Sequence, residues 1–375
     1  MAQPVYASKS STCTKVTDDK PSVWVLAGVH AGDTAQALAL ARSLGWRCEL
    51  KQLIFNHLYV IPNVISRHRL WGLSPAARKV IQAPWPDLVI AVGRRSVPAA
   101  QWIKRQSGGH TKLVHLGRPQ APLAWFDLII TTPQYGLPQG PNVLHNLTPL
   151  TEDPALVPAD ELATWQARIQ HLPRPWIGVL VGGSREPYVL DENAARDLAE
   201  AVSARARAAG GSLLVSTSPR TGAAAAAVLQ QSVSAPAHVH IWTRGGENPH
   251  KAFLALADRF IVTGESVSMM TEACRTGRPT EVYALPRAER ALFGARRSRS
   301  PSAPGQANWR ERLRARLHAA GLISPRRNVE LFVDELVARR HLTRLGEPEL
   351  RQIAPLPNPM DEALIRVRAL FGAAS

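Results

Sequence analysis

The segment Phe260 to Val282, FIVTGESVSMMTEACRTGRPTEV, is compatible with few folds. An apolar run ends in Gly264-Glu265-Ser266, an amphipathic stretch follows, and Gly277-Arg278-Pro279 leads into a second apolar run. This is strand, turn, helix, turn, strand. A helix N-terminus carries unpaired N–H groups and about half a positive charge, so a turn with Gly and Ser there can hold an anion such as a diphosphate. Glu265, Ser268 and Glu272 recur at spacings of three and four, near one helix face. A carboxylate nearly two turns in suits a pair of ribose hydroxyls better than a phosphate. The segment fits a nucleotide-sugar pocket, and it fits equally a plain βα turn bearing two solvated glutamates.

The same alternation runs through most of the chain. Strands are expected at 23–27, 48–53, 87–92, 113–116 and 128–131, with helices at 33–44 and 98–106 between them. Alternation of this kind predicts a parallel sheet covered on both faces. It stops near Thr148, where Pro149, Pro154, Pro158, Pro173 and Pro175 mark a linker over 151–175. Trp176 opens a second series, with strands at 176–181, 212–217, 239–242, 260–262 and 281–283 and helices at 191–209 and 223–231. Further helices are expected at 308–320, 329–340 and 361–371. The fold class is therefore α/β, with two Rossmann-like domains (23–150 and 176–340) whose strand ends face a shared cleft, and a helical tail over 341–375 that can pack back on the first domain. A chain of 375 residues has the length for two such cores.

Composition narrows the setting. No apolar run approaches the roughly eighteen residues that would cross a bilayer, and residues 1–22 lack the apolar centre of a signal peptide, so they are expected to form a disordered leader on a cytoplasmic protein. Cys13, Cys48 and Cys274 have no metal-type spacing and are odd in number, which argues against a disulfide framework or a zinc site and makes Cys48 and Cys274 core thiols. The formal net charge of +16 favours anionic partners. Between Arg287 and Arg327 eleven arginines stand against Glu289 and Glu311, more than half of that excess. Only Phe293 and Trp309 interrupt them, so nucleic acid is not the expected partner. An anionic membrane surface is one candidate, which a bacterial origin would put at the inner face of the plasma membrane, and a solvated basic surface would give the same composition.

The loops after the strands carry the candidate chemistry. In the first domain His30 and Asp33 stand beside Gly28 and Gly32, where either could accept a proton from an attacking hydroxyl. Asp33 is equally a good N-cap. The second domain opens with Gly182-Gly183-Ser184, whose small side chains and N–H groups suit a diphosphate without matching a dinucleotide fingerprint or a P-loop. Ser216, Thr217 and Arg220 follow in STSPRT, which joins hydroxyls to one guanidinium or is a turn around Pro219. Asn248 and Arg244 can line a pocket mouth. No HExxH, GxSxG or Asp-x-Asp pattern is present, which argues against a hydrolase or metalloenzyme. Two phosphate-friendly helix starts, a carboxylate and a base suffice for metal-independent sugar transfer.

With these residues placed, the chain resembles the mitochondrial-fission Elm family. The resemblance rests on VTGESVSMMTEACRTGRPTEV, STSPRT, GENPH, AVGRRSVPAA and AGDTAQALALARSLG, and covers most of residues 23–285. That family is similar to twin-domain (GT-B) glycosyltransferases, which implies a uridine-type nucleotide sugar as co-substrate, no other cofactor, and a lipid or envelope-precursor acceptor. By the same similarity Gly183, Ser184, Ser266 and Ser268 would hold the diphosphate, Glu272 the ribose, and Asp33 would face the acceptor. The chain has His250 where relatives commonly have Tyr, and Pro219 where they often carry Arg. The plant member resembles an adaptor that recruits a dynamin-like GTPase, so a non-catalytic scaffold is the alternative; the arginine-rich composition resembles a bacterial protein.

Overall fold

The computed structural model describes residues 20–28, 31–151, 157–288, 327–348, 350 and 353–372. His30, most of the leader, the expected helix at 308–320 and nearly all of the basic segment at 287–327 lie outside them. The described residues form parts of two compact units: residues 1–152, 305–328 and 358–375 in the first, and 153–304 and 329–357 in the second.

Unit 1 begins with β1 (Ser22–Ala27), α1 (Ala31–Leu44) and β2 (Arg47–Gln52). A crossover follows with two short helices, α2 (Asn63–Ser66) and α3 (Pro75–Lys79). Then come β3 (Leu88–Val92), α4 (Val97–Gln106), β4 (Lys112–Leu116), β5 (Leu128–Thr131) and β6 (Val143–His145). The strands pair in parallel in the order β2-β1-β3-β4-β5-β6, with Val25 opposite Ile90 and Ile90 opposite Val114. Every residue of β3 and β5 is buried, as expected for central strands covered on both faces.

Unit 2 contains α5 (Ala159–Ile169), β7 (Trp176–Leu180), α6 (Glu192–Ala209), β8 (Ser212–Ser216), α7 (Ala223–Ser232) and β9 (Ala237–His240). It continues through α8 (His250–Leu256), β10 (Arg259–Thr263), α9 (Val267–Arg275), β11 (Thr280–Tyr283), α10 (Val329–Ala338) and β12 (Thr343–Arg344). Its parallel sheet runs β12-β11-β10-β7-β8-β9. The Asp191 side chain caps α6 by accepting from the Ala194 N–H at 2.9 Å, and Gly210, in the left-handed region, closes it. Ala195, Leu198, Ala199, Val202 and Ala206 form its buried stripe. The last helix, α11 (Pro359–Ala369), belongs to unit 1: Met360, Ala363 and Val367 are buried in the same cluster as Leu40 and Leu44 of α1.

Several expectations are revised. The proline-rich stretch read as a linker contains α5, which starts directly after Pro158 and buries Trp165 and Ile169. β6 and β12 were not expected, and β9 ends two residues before the expected limit. Cys274 is a free buried thiol, but Cys48 is disulfide-bonded, because sequence spacing says nothing of which cysteines the fold brings together. Among the described residues no helix is long and apolar enough to cross a membrane.

Candidate functional site

In open parallel sheets, ligands bind where strand order reverses and the loops after two adjacent strands diverge to opposite faces. In unit 2 this point lies between β7 and β10. The two loops there, Gly182 to Tyr188 and Gly264 to Ser266, are bonded to each other. The Gly182 N–H donates to Thr263 Oγ1 at 2.9 Å, and the Gly183 N–H donates to Glu265 Oε1 at 2.9 Å. Both amides are therefore occupied, and the expectation that Gly182 and Gly183 offer free donors to a diphosphate is corrected. Their role is steric. A Cβ on Gly182 would collide with the Glu265 carboxylate, and one on Gly183, at φ +137°, with the Arg220 carbonyl.

Glu265 is completely buried and cannot touch a ligand in this conformation. Burial pushes its carboxyl above the ordinary range against opposing hydrogen bonds and the Arg220 charge, and Oε2 has no hydrogen-bond partner among the described residues. Its function is to anchor what surrounds it. Arg220 Nη2 stands 3.6 Å from Glu265 Oε1 and donates to Ser266 Oγ at 3.3 Å. Burial lowers the Arg220 pKa against the pull of Glu265, and the nearby charge of Arg185 lowers it further. The charges of Arg220 and the exposed Arg185 thus act on one another near the crevice, with the buried Glu265 carboxylate between the loops. A bound anion would relieve that repulsion.

Ser266 occupies the N-cap position of α9, yet its side chain makes no capping hydrogen bond among the described residues. The first turn of α9 therefore retains its donors. Ser268 lies in that turn and is exposed. One turn further, Glu272 Oε2 stands 2.6 Å from His250 Nε2. His250 opens α8, where its own N–H is accepted by Asn248 Oδ1 at 3.2 Å. Other expected contact residues are engaged by the protein itself. The Ser184 hydroxyl accepts from the Leu190 N–H at 2.9 Å, Thr217 Oγ1 accepts from the Trp242 N–H at 2.8 Å, and Ser216 is buried at the end of β8. Ser218 and Thr221 both donate to the Gly182 carbonyl and hold the STSPRT turn against the β7 loop.

The structure thus brings Arg220, Ser266 and the start of α9 together, buries Ser216, Thr217 and Glu265 in the scaffold, and leaves Ser184 exposed with its hydroxyl engaged by the Leu190 N–H. It adds Arg185 and His250. Arg185 sits within the VGGSRE string, and His250 was visible as a departure from the family pattern.

In unit 1 strand order reverses between β1 and β3. A cavity of about 260 Å³ lies there, lined by Gly28, Asp33, Val92, Gly93, Arg95 and Ser96 among others. Gly93 has φ +73°, and the Asp33 carboxylate comes within 4.0 Å of where its Cβ would stand. Arg94 donates to the Tyr59, Val60 and Ile61 carbonyls, while the Arg95 guanidinium stacks 3.8 Å from the Tyr59 ring centroid. Asp33 therefore shares its crevice with a cationic, aromatic wall that the sequence pattern had not assigned.

A model of the family described as Mitochondrial fission ELM1 matches residues 31–298. Mitochondrial fission protein ELM1 of Arabidopsis thaliana is 28% identical over 233 residues, covering 56% of this chain and 54% of that protein, so the match spans about half the plant protein's length. The uncharacterized protein RP120 of Rickettsia prowazekii (strain Madrid E) is 22% identical over 299 residues, 71% of this chain and 84% of that one. Among solved structures, a putative UDP-N-acetylglucosamine 2-epimerase from Listeria monocytogenes gives a TM-score of 0.51 at 14% identity, over 95% of this chain and 98% of that chain. With the two parallel sheets, this likeness makes the fold GT-B-like.

Proposed function

This chain belongs to the Mitochondrial fission ELM1 family, and from that premise we propose that it is a glycosyltransferase that moves a sugar from a nucleoside-diphosphate sugar of the uridine type to a lipid or cell-envelope acceptor. The observation that carries the reading is the pairing of Arg220 with the uncapped start of α9 at the strand-order reversal of unit 2. When the anomeric carbon–oxygen bond breaks, its electron pair leaves with the diphosphate. In this reading Arg220, Arg185 and the α9 donors stabilise that developing charge. Glu272, held by His250, accepts from the ribose hydroxyls. The acceptor oxygen forms the new bond, and its proton passes to Asp33 in the crevice of unit 1. In this reading the protein works in the cytoplasm at the inner face of the plasma membrane, with the arginines of 287–327 on anionic lipid.

A non-catalytic adaptor is the second reading, favoured by the self-satisfied Gly182 and Gly183 amides, which are not free to bind a diphosphate. Calorimetric titration with a panel of nucleoside diphosphates and their sugars separates the two. The transferase reading expects a uridine-type ligand to bind, with Kd raised about tenfold or more by Arg220→Ala and also raised by Glu272→Ala. A folded protein that binds none of the panel leaves the adaptor.

A further inference from the structure

From Leu50 to Pro86 the chain carries no acidic residue. This is the β2 to β3 crossover of unit 1, and it forms short turns in place of one long covering helix: a 3₁₀ turn at His57–Val60, then α2 and α3. Nine large hydrophobic side chains stand exposed among the described residues, and six of them fall within 54–71: Ile54, Leu58, Val60, Val64, Ile65 and Trp71. Val60 and Ile65 are each 61% exposed. Such a concentration marks an interaction surface.

Polar side chains hold this backbone from beneath. Arg94 donates to the carbonyls of Tyr59, Val60 and Ile61, Asn56 to those of Trp71 and Leu73, and the buried Asn63 to those of Arg94 and Pro119. The aliphatic side chains are thereby fixed outward. The charged side chains between them are all cationic. The Arg69 guanidinium lies 4.3 Å from the Trp71 ring centroid and that of Arg67 lies 4.3 Å from Trp125, while Arg78 and Lys79 are exposed on α3. Aliphatic residues, tryptophan and arginine interleaved without a carboxylate match the boundary between anionic headgroups and acyl chains. Phosphate contacts alone, as on a nucleic acid, would leave the aliphatic side chains in water.

We propose that residues 54–80 of unit 1 dock on an anionic lipid bilayer. Val60, Ile65 and Trp71 enter the headgroup boundary, and Arg67, Arg69, Arg78 and Lys79 lie among the lipid phosphates. This surface is separate in sequence from the arginines of 287–327, and the docking does not require sugar transfer. One consequence does rest on the transferase reading. Phe55 and Tyr59 of the same crossover wall the Asp33 cavity, so a bilayer-anchored acceptor could present its hydroxyl there without leaving the membrane.

Vesicle co-sedimentation of the full chain tests this, with phosphatidylcholine vesicles that contain or lack phosphatidylglycerol. Wild type is expected to bind the anionic vesicles in a salt-sensitive way. The double variant Val60→Ser/Ile65→Ser, which alters exposed positions only, should bind about tenfold more weakly with an unchanged melting temperature. Arg67→Gln/Arg69→Gln should weaken binding to the anionic vesicles. A variant with Arg310, Arg312, Arg314 and Arg316 all changed to Gln should keep the dependence on Val60 and Ile65. The proposal is overturned if no vesicle is bound, or if the patch variants bind like wild type. It is also overturned if sedimentation velocity shows a dimer that Val60→Ser/Ile65→Ser dissociates without affecting vesicle binding.

Discussion

Gly182 and Gly183 show how a residue can matter through the room it leaves. Their absent side chains let the Glu265 carboxylate and the Arg220 carbonyl approach the β7 loop, and the guanidinium is positioned as a result. His115 makes a comparable contribution beside the other crevice. It is fully buried on β4, with Nε2 3.4 Å from the Gly93 carbonyl and its ring edge-on to Phe126. Burial lowers its pKa to about 4, against the opposing pull of the Gly93 and Gly117 carbonyls. The unfolded chain titrates near 6.5. As pH falls through that window the unfolded state takes up a proton that the folded state refuses, so stability present above 6.5 is lost progressively toward 4. The loss is at most about 3 kcal/mol. Urea midpoints measured between neutral pH and pH 4 should fall more steeply for wild type than for His115→Gln. Parallel curves would remove His115 from the acid sensitivity.

Among the elements, α5 is the least evident from composition, since prolines surround it. Its Trp165 ring lies 5.8 Å from Phe253 and 5.9 Å from His238, edge-on to both, and Ile169 is fully buried. The helix therefore covers the β9 edge and α8, the element that carries His250. Trp165→Ala should cost about 3–5 kcal/mol in urea unfolding, the usual result of emptying a large aromatic site. A loss within about 0.5 kcal/mol would make α5 a passive connector. The start of α9 is the opposite case: its donors remain open because Ser266 is engaged by Arg220 and caps nothing.

In the molecule as a whole, chain order and unit membership part company at α11. Met360, Ala363 and Val367 complete the unit 1 core, Phe371 packs edge-on against Trp46 at 5.1 Å, and Asn146 donates to the Pro359 carbonyl at 3.0 Å. Ala363→Asp would place an unpaired carboxylate at a site with no exposure, at a cost of several kcal/mol. Hydrogen exchange should then show lost protection in β1 to β5 with β7, β8 and β10 unaffected; uniform loss in both units would contradict this division. The strand and helix series was legible because each element declares itself locally, through a β-branched run, a glycine turn and a helical period. β6 and β12, three and two residues long, are too short to carry a period, and the cysteine spacing gave no sign of the Cys48 disulfide. The residues Gly182, Gly183, Glu265, Ser266 and Glu272 could likewise be named from their turns. Their roles could not, because the Thr263 and Glu265 contacts to Gly182 and Gly183 join segments far apart in sequence. Those segments become neighbours only when parallel pairing sets β7 beside β10, and strand order is a property of the packed sheet that no local pattern encodes.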